Sequence, residues 1–235
     1  MSPPSPGAPR RAEIAADRIR DGILRGTWRA GDRLPGERDM AARLGVHRGT
    51  VREALIALEH QGLVSTRPGG TVVCAIQEAG IGVLRHLLSV EGAPNRALIG
   101  HLLDVHEMLF AGAARLAVER GSRDDLIRAE ELVAKLADPV RSRSSLAELL
   151  DDIAELITRA SGNLVLQLWR NTLRPALADH LDLLRDRLAP DASVLARLSR
   201  GIRERDGAAT EESVRALLRQ RHSELMAALD APRDQ

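Results

Sequence analysis

Cysteine, lysine and aromatic residues are almost missing from this chain. Cys74 is the single cysteine, Lys135 the single lysine, and Trp28, Trp169 and Phe110 are the whole aromatic set, with no tyrosine. One cysteine excludes an internal disulfide and fits a reducing compartment. So few aromatics argue against recognition of single-stranded nucleic acid, which relies on aromatic platforms for base stacking. No apolar run approaches the roughly 20 residues that span a bilayer, so no membrane partner is expected. The stretch "MSPPSPGAPRR" is proline-rich and has no hydrophobic segment, so residues 1–10 read as a disordered leader rather than a secretory signal. The expected compartment is the cytoplasm. A P-loop, a G-x-S-x-G elbow and an H-E-x-x-H zinc helix are all absent, and the carboxylates are scattered over helix surfaces. No enzymatic activity is expected.

What remains is rich in Leu, Ala, Val and Ile, and 44% of the 235 residues are hydrophobic. That composition suits packed helices and is enough for two domains. The net charge of +1 is unevenly spread. Residues 1–76 hold 12 arginines against 8 acidic residues, whereas the remainder is slightly acidic. An anionic partner for the first segment is the reading this asymmetry favours.

Ile14, Ile19, Ile23 and Leu24 recur at helical spacing, which predicts a helix over about 11–25. "GTWRAGDRLPGER" breaks it with three glycines and a proline. A second short helix, about 36–44, carries Met40, Ala41 and Leu44 on one face and ends at Gly45. A third, 48–61, has Val51, Leu55, Ile56 and Leu58 on its apolar face. Two short helices around a glycine-containing turn form a helix-turn-helix signature. "GLVSTRPGGTVVCA" follows as two β-rich runs around Pro68-Gly69-Gly70, a hairpin pattern. Residues 11–76 thus read as a winged helix-turn-helix.

From 77 onward no comparable strand signal occurs. Helical patterns are expected at about 78–90, 95–119, 122–137, 145–160, 163–188, 192–205 and 209–229, with breaks at glycine, proline and serine clusters. The expected fold class is therefore mainly α: a winged helix-turn-helix with a small hairpin wing, then an all-α bundle of six or seven helices over 77–235.

A recognition helix places its first turn in the major groove, and its free N–H groups favour phosphate. Arg48 and Arg52 are four apart and share a face. Arginine can pair bidentately with guanine, and Thr50 can bond a phosphate or touch a thymine methyl. Gly49 leaves the backbone uncovered, and Gly69 with Gly70 would let the wing lie along the minor groove.

The run "GDRLPGERDMAARLGVHRGTVREALIALEHQGLVSTRPGGTVV" closely resembles the DNA-binding domain of GntR-family bacterial transcription regulators. The resemblance covers about 12–74. It implies that Arg38, Arg48, Thr50 and Arg52 contact DNA, with Gly69 in the wing. Two positions depart from the family pattern: Gly36 stands where Ser or Ala is usual, and His47 where Ser or Thr is usual. A hydroxyl at the second site would cap the helix, whereas His47 can donate to phosphate.

The second segment resembles the effector-binding and dimerising domain of the FadR subfamily, through "LLDVHEMLFAGAARLAVERGSRDDLIRAEELV", "ITRASGNLVLQLW" and "IRERDGAATEESVRALLRQRH". Many members of that subfamily hold a metal with an Asp and three His, and the metal grips a carboxylate effector. Here the corresponding positions fall at Leu150, Ala154 and near Leu195, and only His222 matches. The ligand set is incomplete for a metal ion, so neither a metal nor another cofactor is expected. Asp151 and Glu155 could form a carboxylate pair after a one-residue shift, but a solvated helix face is the expected reading. His101, His106, His180 and His222 are, taken singly, ordinary core or surface histidines. His106 also stands where many relatives carry an Arg for the effector's carboxylate. The family's layout implies an effector cavity at His106, Asn163, Arg174 and His222. The missing metal ligands, together with "IGVLRHLLSVEGAPNRALIGHLLDVHEML", resemble the acyl-CoA-responsive branch.

The resemblance implies a homodimeric regulator, a repressor, that binds double-stranded operator DNA and is nucleoid-associated when bound. Its effector would be a small acidic metabolite or an acyl-CoA. Three alternatives stay open: a metal-dependent carboxylate sensor, an effector-independent architectural DNA-binding protein, and an interaction module that has lost DNA binding. Fusion to an aminotransferase-like domain, known beside such winged helices, is excluded by length.

Overall fold

The computed structural model of this chain describes residues 11–90, 93–138, 143–181 and 190–230. The leader expected at 1–10 lies outside them. The chain divides into two compact units, 1–91 and 92–235.

The first unit is built from α1 (Arg11–Leu24), α2 (Glu37–Leu44), α3 (Arg48–His60) and a hairpin of β1 (Val64–Arg67) and β2 (Gly70–Val73). Its core takes Ala15, Ala16 and Ile19 from α1, Met40 from α2 and Val51, Ala54 and Leu58 from α3. Ile19, Met40, Val51 and Leu58 are positions that the sequence spacing marks. Ile14 and Ile56, expected on the apolar faces, are instead 41% and 47% exposed, and the alanines pack in their place. The helix α3 is held along one face by α1 and α2. A fully buried Leu or Val contributes about 1.5–3 kcal/mol relative to exposure. Gly45 ends α2 at φ +67°, a left-handed conformation that costs glycine nothing. In the hairpin Val64 faces Val73 and Arg67 faces Gly70. Residues 31–34 lie along the free edge of β2, with Gly31 N–H donating to Val73 O and Leu34 N–H to Thr71 O, both at 2.9 Å.

The helix expected over about 78–90 is not continuous. Two 3-10 turns, Ile76–Glu78 and Ile81–Val83, lead into a single-turn helix, α4 (Leu84–Leu87). Gly80 and Gly82 weaken helix propensity in this stretch. Val83 and Leu87 pack into the core of the first unit, so burial rather than periodicity shapes the segment. Short extended pieces at Ser89–Val90 and Ala93–Pro94 are further strand residues that the sequence patterns do not signal.

The second unit contains α5 (Arg96–Arg120), α6 (Arg123–Ala137), α7 (Arg143–Ala160), α8 (Leu164–Leu181), α9 (Ala192–Glu204) and α10 (Gly207–Asp230). The central α5 packs on α10 and α7, while α6 packs on α7 and α9. By length and composition α5 could cross a bilayer, although the sequence reading expects no such run. Ile99, Leu102, Phe110, Ala114 and Val118 are buried within the bundle, whereas Val105 and Met108 are exposed. Ser122 starts α6 with a capping box: its hydroxyl accepts from Asp125 N–H while Asp125 accepts from Ser122 N–H.

Candidate functional sites

The start of α3 is an exposed, cationic helix end. His47 occupies the N-cap position and makes no side-chain capping bond, and the first turn has no acidic residue. Its amide donors are therefore free of competition from the chain's own carboxylates. Arg48, Gly49 and Arg52 are exposed and Thr50 is half-buried. Arg48 is 73% exposed and its Nε donates to Glu37 Oε2 at 2.7 Å, so the start of α2 orients it. Arg38 is 91% exposed and lies 3.6 Å from Asp39, an exposed pair of little energetic weight. His47, Arg48, Gly49, Thr50 and Arg52 thus share one helix start. Arg38 sits in the first turn of the neighbouring α2.

Gly69 is at the hairpin tip with φ +103°, and Gly70 follows at +133°. A Cβ on Gly69 would lie 3.1 Å from the Arg33 guanidinium, and one on Gly70 would lie 3.3 Å from the Arg33 side chain. Arg33 is thereby stretched across the wing, and Arg67 is exposed beside it. Sequence reasoning singled out neither arginine. Arg33 lies in a turn-rich loop without periodicity, and only the backbone bridge between Arg33 and Val72 carries it to the wing. The arginine surplus of the segment is the one signal that includes it.

The helical unit contains a partly open cavity of about 480 Å³. Its wall is mainly apolar, with Leu103 and Phe110 from α5, Leu132 and Val133 from α6, Leu173 from α8 and Leu198 from α9. His106 Nδ1 is 3.3 Å from His222 Nε2, and the His106 ring is tilted on Phe110 with centroids 4.6 Å apart. Burial pushes His106 down to about 3, helped by His222 and Arg221. Burial also pushes His222 down to about 4, helped by Arg221 and opposed by Glu107 and Asp104. Both imidazoles are neutral at pH 7. Arg221 beside them is lowered to about 10 by burial.

Arg174 also lines the cavity, and its guanidinium meets Asp151 at 2.6 Å. Arg170 binds the other oxygen of the same carboxylate. The solvated face expected for Asp151 and Glu155 therefore holds for Glu155 alone. Asp151 turns into the cavity wall because two guanidiniums on α8 face it. Of the four effector residues implied by the resemblance, His106, Arg174 and His222 line the cavity. Asn163 is not among its lining residues: its Oδ1 caps α8, accepting from Val165 N–H at 3.0 Å. His101 is exposed, and the His180 side chain lies outside the described residues.

Leu150 and Ala154, where relatives carry metal ligands, line the same cavity as His222, whereas Leu195 is in the hydrophobic core. Among the described residues no three His, Cys, Asp or Glu side chains converge as a metal site. The polar lining combines the imidazole pair and the Arg170, Arg174 and Arg221 guanidiniums with the carboxylates of Asp125, Glu148 and Asp151. Guanidiniums are anion partners rather than metal ligands.

Comparison with known proteins gives a consistent picture. Residues 11–73 match the family of bacterial regulatory proteins of the gntR type, and residues 101–233 match the FCD domain. The chain is 29% identical over 228 residues to the HTH-type transcriptional regulator Mce2R of Mycobacterium tuberculosis, covering 92% of each chain. It is 36% identical over 116 residues to the Uxu operon transcriptional regulator of Escherichia coli, covering 47% of this chain and 42% of that one. Over two other curated relatives, matched at 34% and 33% identity, it spans 50% and 60% of their length. A solved structure, described as Lar controlling expression of the Listeria monocytogenes agr system, shares the fold. That match has a TM-score of 0.54 and 15% identity and covers 95% of this chain and 98% of that one. The matched families are regulators rather than enzymes.

Proposed function

Because this chain belongs to the GntR family of bacterial regulators, in the branch that carries an FCD domain, we propose that it is a cytoplasmic, homodimeric transcription repressor. It reads palindromic operator DNA and is nucleoid-associated when bound. The exposed cationic start of α3, held against α1 and α2 by a packed core, carries the reading. Arg48 and Arg52 reach base edges in the major groove, while His47, Gly49 and Thr50 bring the helix start against phosphate. Arg38 contacts the flanking backbone. Gly69 admits the wing to the minor groove, where Arg33 and Arg67 add charge.

The helical unit is the effector sensor. A cavity of about 480 Å³ with an apolar wall and a few polar groups has the character of a small-molecule site. His106, Arg174 and His222 receive the polar end of a carboxylate or acyl thioester. Effector binding lowers operator affinity, and linkage then requires DNA to lower effector affinity by the same factor. Leu164, Val165 and Leu168 at the start of α8 are 65%, 72% and 57% exposed, an apolar strip that favours burial against a second copy. Two recognition helices in such a dimer read half-sites about one helical turn or less apart.

Selection from random duplex DNA, followed by anisotropy titration at several salt concentrations, tests the DNA reading. The expected result is a palindromic site whose affinity falls linearly with log salt. Absence of any selected duplex at low salt refutes it. Sedimentation of the free protein tests the dimer, and a monomer at micromolar concentration removes that part.

A further inference from the structure

One corner of the cavity is charged, and the protein's own carboxylate already fills it. Asp151 near the middle of α7 gives one oxygen to Arg170 and the other, at 2.6 Å, to Arg174 one helical turn further along α8. Two guanidiniums closing on one carboxylate from successive turns make a carboxylate clamp. Arg170 is only 11% exposed, and its Nε–H has no partner among the described residues. The clamp therefore holds a spare, desolvated donor that Asp151 does not reach. A buried donor without a partner is costly enough to point to an absent acceptor. The rest of the wall is mainly hydrocarbon. Asp151 itself is 32% exposed, so it has a route to water if it is displaced.

We infer that Asp151 is an internal stand-in for the effector's own carboxylate, and that the effector class is a monocarboxylic acid with a hydrocarbon body. The acid's carboxylate exchanges with Asp151 on Arg170 and Arg174, and its tail fills the apolar cavity. This inference rests on the effector-sensing reading above and names the ligand of that site. The preference for a free acid follows from the clamp, because a thioester or amide presents no carboxylate to two guanidiniums. The exchange also supplies a signal. Asp151 ties α7 to α8, so its displacement unties two helices of the bundle.

The test uses the full chain treated with chelator, titrated calorimetrically with straight-chain acids from butyrate to decanoate, with phenylacetate, with octanamide and with octanoyl-CoA. Acids are expected to bind and the amide to fail. Asp151→Asn is expected to bind acids about tenfold tighter, because apparent affinity falls with the fraction of clamps already occupied. Arg170→Leu is expected to lose at least tenfold. Circular dichroism checks that each variant is folded, and if Arg170→Leu is not, Asp151→Asn decides alone. Unchanged or weaker acid binding by Asp151→Asn overturns the exchange. Binding of octanoyl-CoA or octanamide alone, or of acids only after metal is added, overturns the acid-clamp assignment but leaves an effector sensor standing. Binding of no probe by either protein overturns this inference. A failure of the effector-sensing reading itself would show separately, as operator affinity that no cell-extract metabolite fraction changes.

Discussion

The two neutral imidazoles in the cavity make this fold sensitive to mild acid. His106 and His222 sit near 3 and 4 in the folded protein, against about 6.5 when exposed. Both folded values are depressed, so below pH 6.5 the unfolded chain binds more protons than the native one. Stability therefore rises with pH through this window and falls as pH drops from about 6.5 toward the folded values. Between pH 7.5 and pH 5.0 each fully shifted imidazole removes about 2 kcal/mol. Both residues retain some solvent contact, so about 2–4 kcal/mol for the pair is the expected loss. Urea unfolding at the two pH values measures it, and the double variant His106→Gln/His222→Gln isolates it from other titrations. Glu107 and Asp104 also face His222 and oppose its downward shift, and the double variant leaves both in place. The wild type should lose at least 2 kcal/mol more than the variant over this interval. Equal losses in the two proteins would show that the pair is protonated or solvated in the native state, and the reasoning would fail.

Other consequences concern single side chains. Gly62 joins α3 to β1 at φ +74°, where an added Cβ would lie 2.8 Å from the Glu78 carbonyl oxygen. Gly62→Ala should cost about 1–3 kcal/mol in urea unfolding of the winged-helix unit, and a neutral result would mean that the turn relaxes freely. The Thr210 hydroxyl is buried without a partner among the described residues. Thr210→Val, which keeps the shape, should raise stability by about 1 kcal/mol, and a fall in Tm would reveal a hidden partner. Arg48→Ala should weaken specific operator binding by about 1–3 kcal/mol and relax preference at one base position. A uniform loss across all sequences would make Arg48 a phosphate contact instead.

Much of the winged helix was legible because its determinants are local. Helical spacing of Ile19, Met40, Val51 and Leu58 marks the buried faces. Gly45 and Gly69-Gly70 mark the helix stop and the hairpin tip, and each does so through its own backbone geometry. The basic start of α3 was equally readable, since Arg48 and Arg52 need only helix periodicity to share a face. The leucines and valines of 78–90 have helical spacing and predict one helix. Packing against the first unit's core, with Gly80 and Gly82 in the chain, broke it into turns.

Sequence by itself determined the helix-turn-helix with its hairpin, the helical class of the second part and the cluster at the start of α3. All of these follow from short-range periodicity and turn chemistry. Only the tertiary structure could bring Arg33 to the wing, because a backbone bridge to Val72 does that. Only tertiary structure could set His106 against His222, which are 116 residues apart, and lower both by shared burial. The same holds for Asp151, whose spacing suits a solvated face until α8 folds over it with Arg170 and Arg174. Periodicity assigns a residue to a face of its own helix, but which side chains meet across helices is decided by how those helices pack.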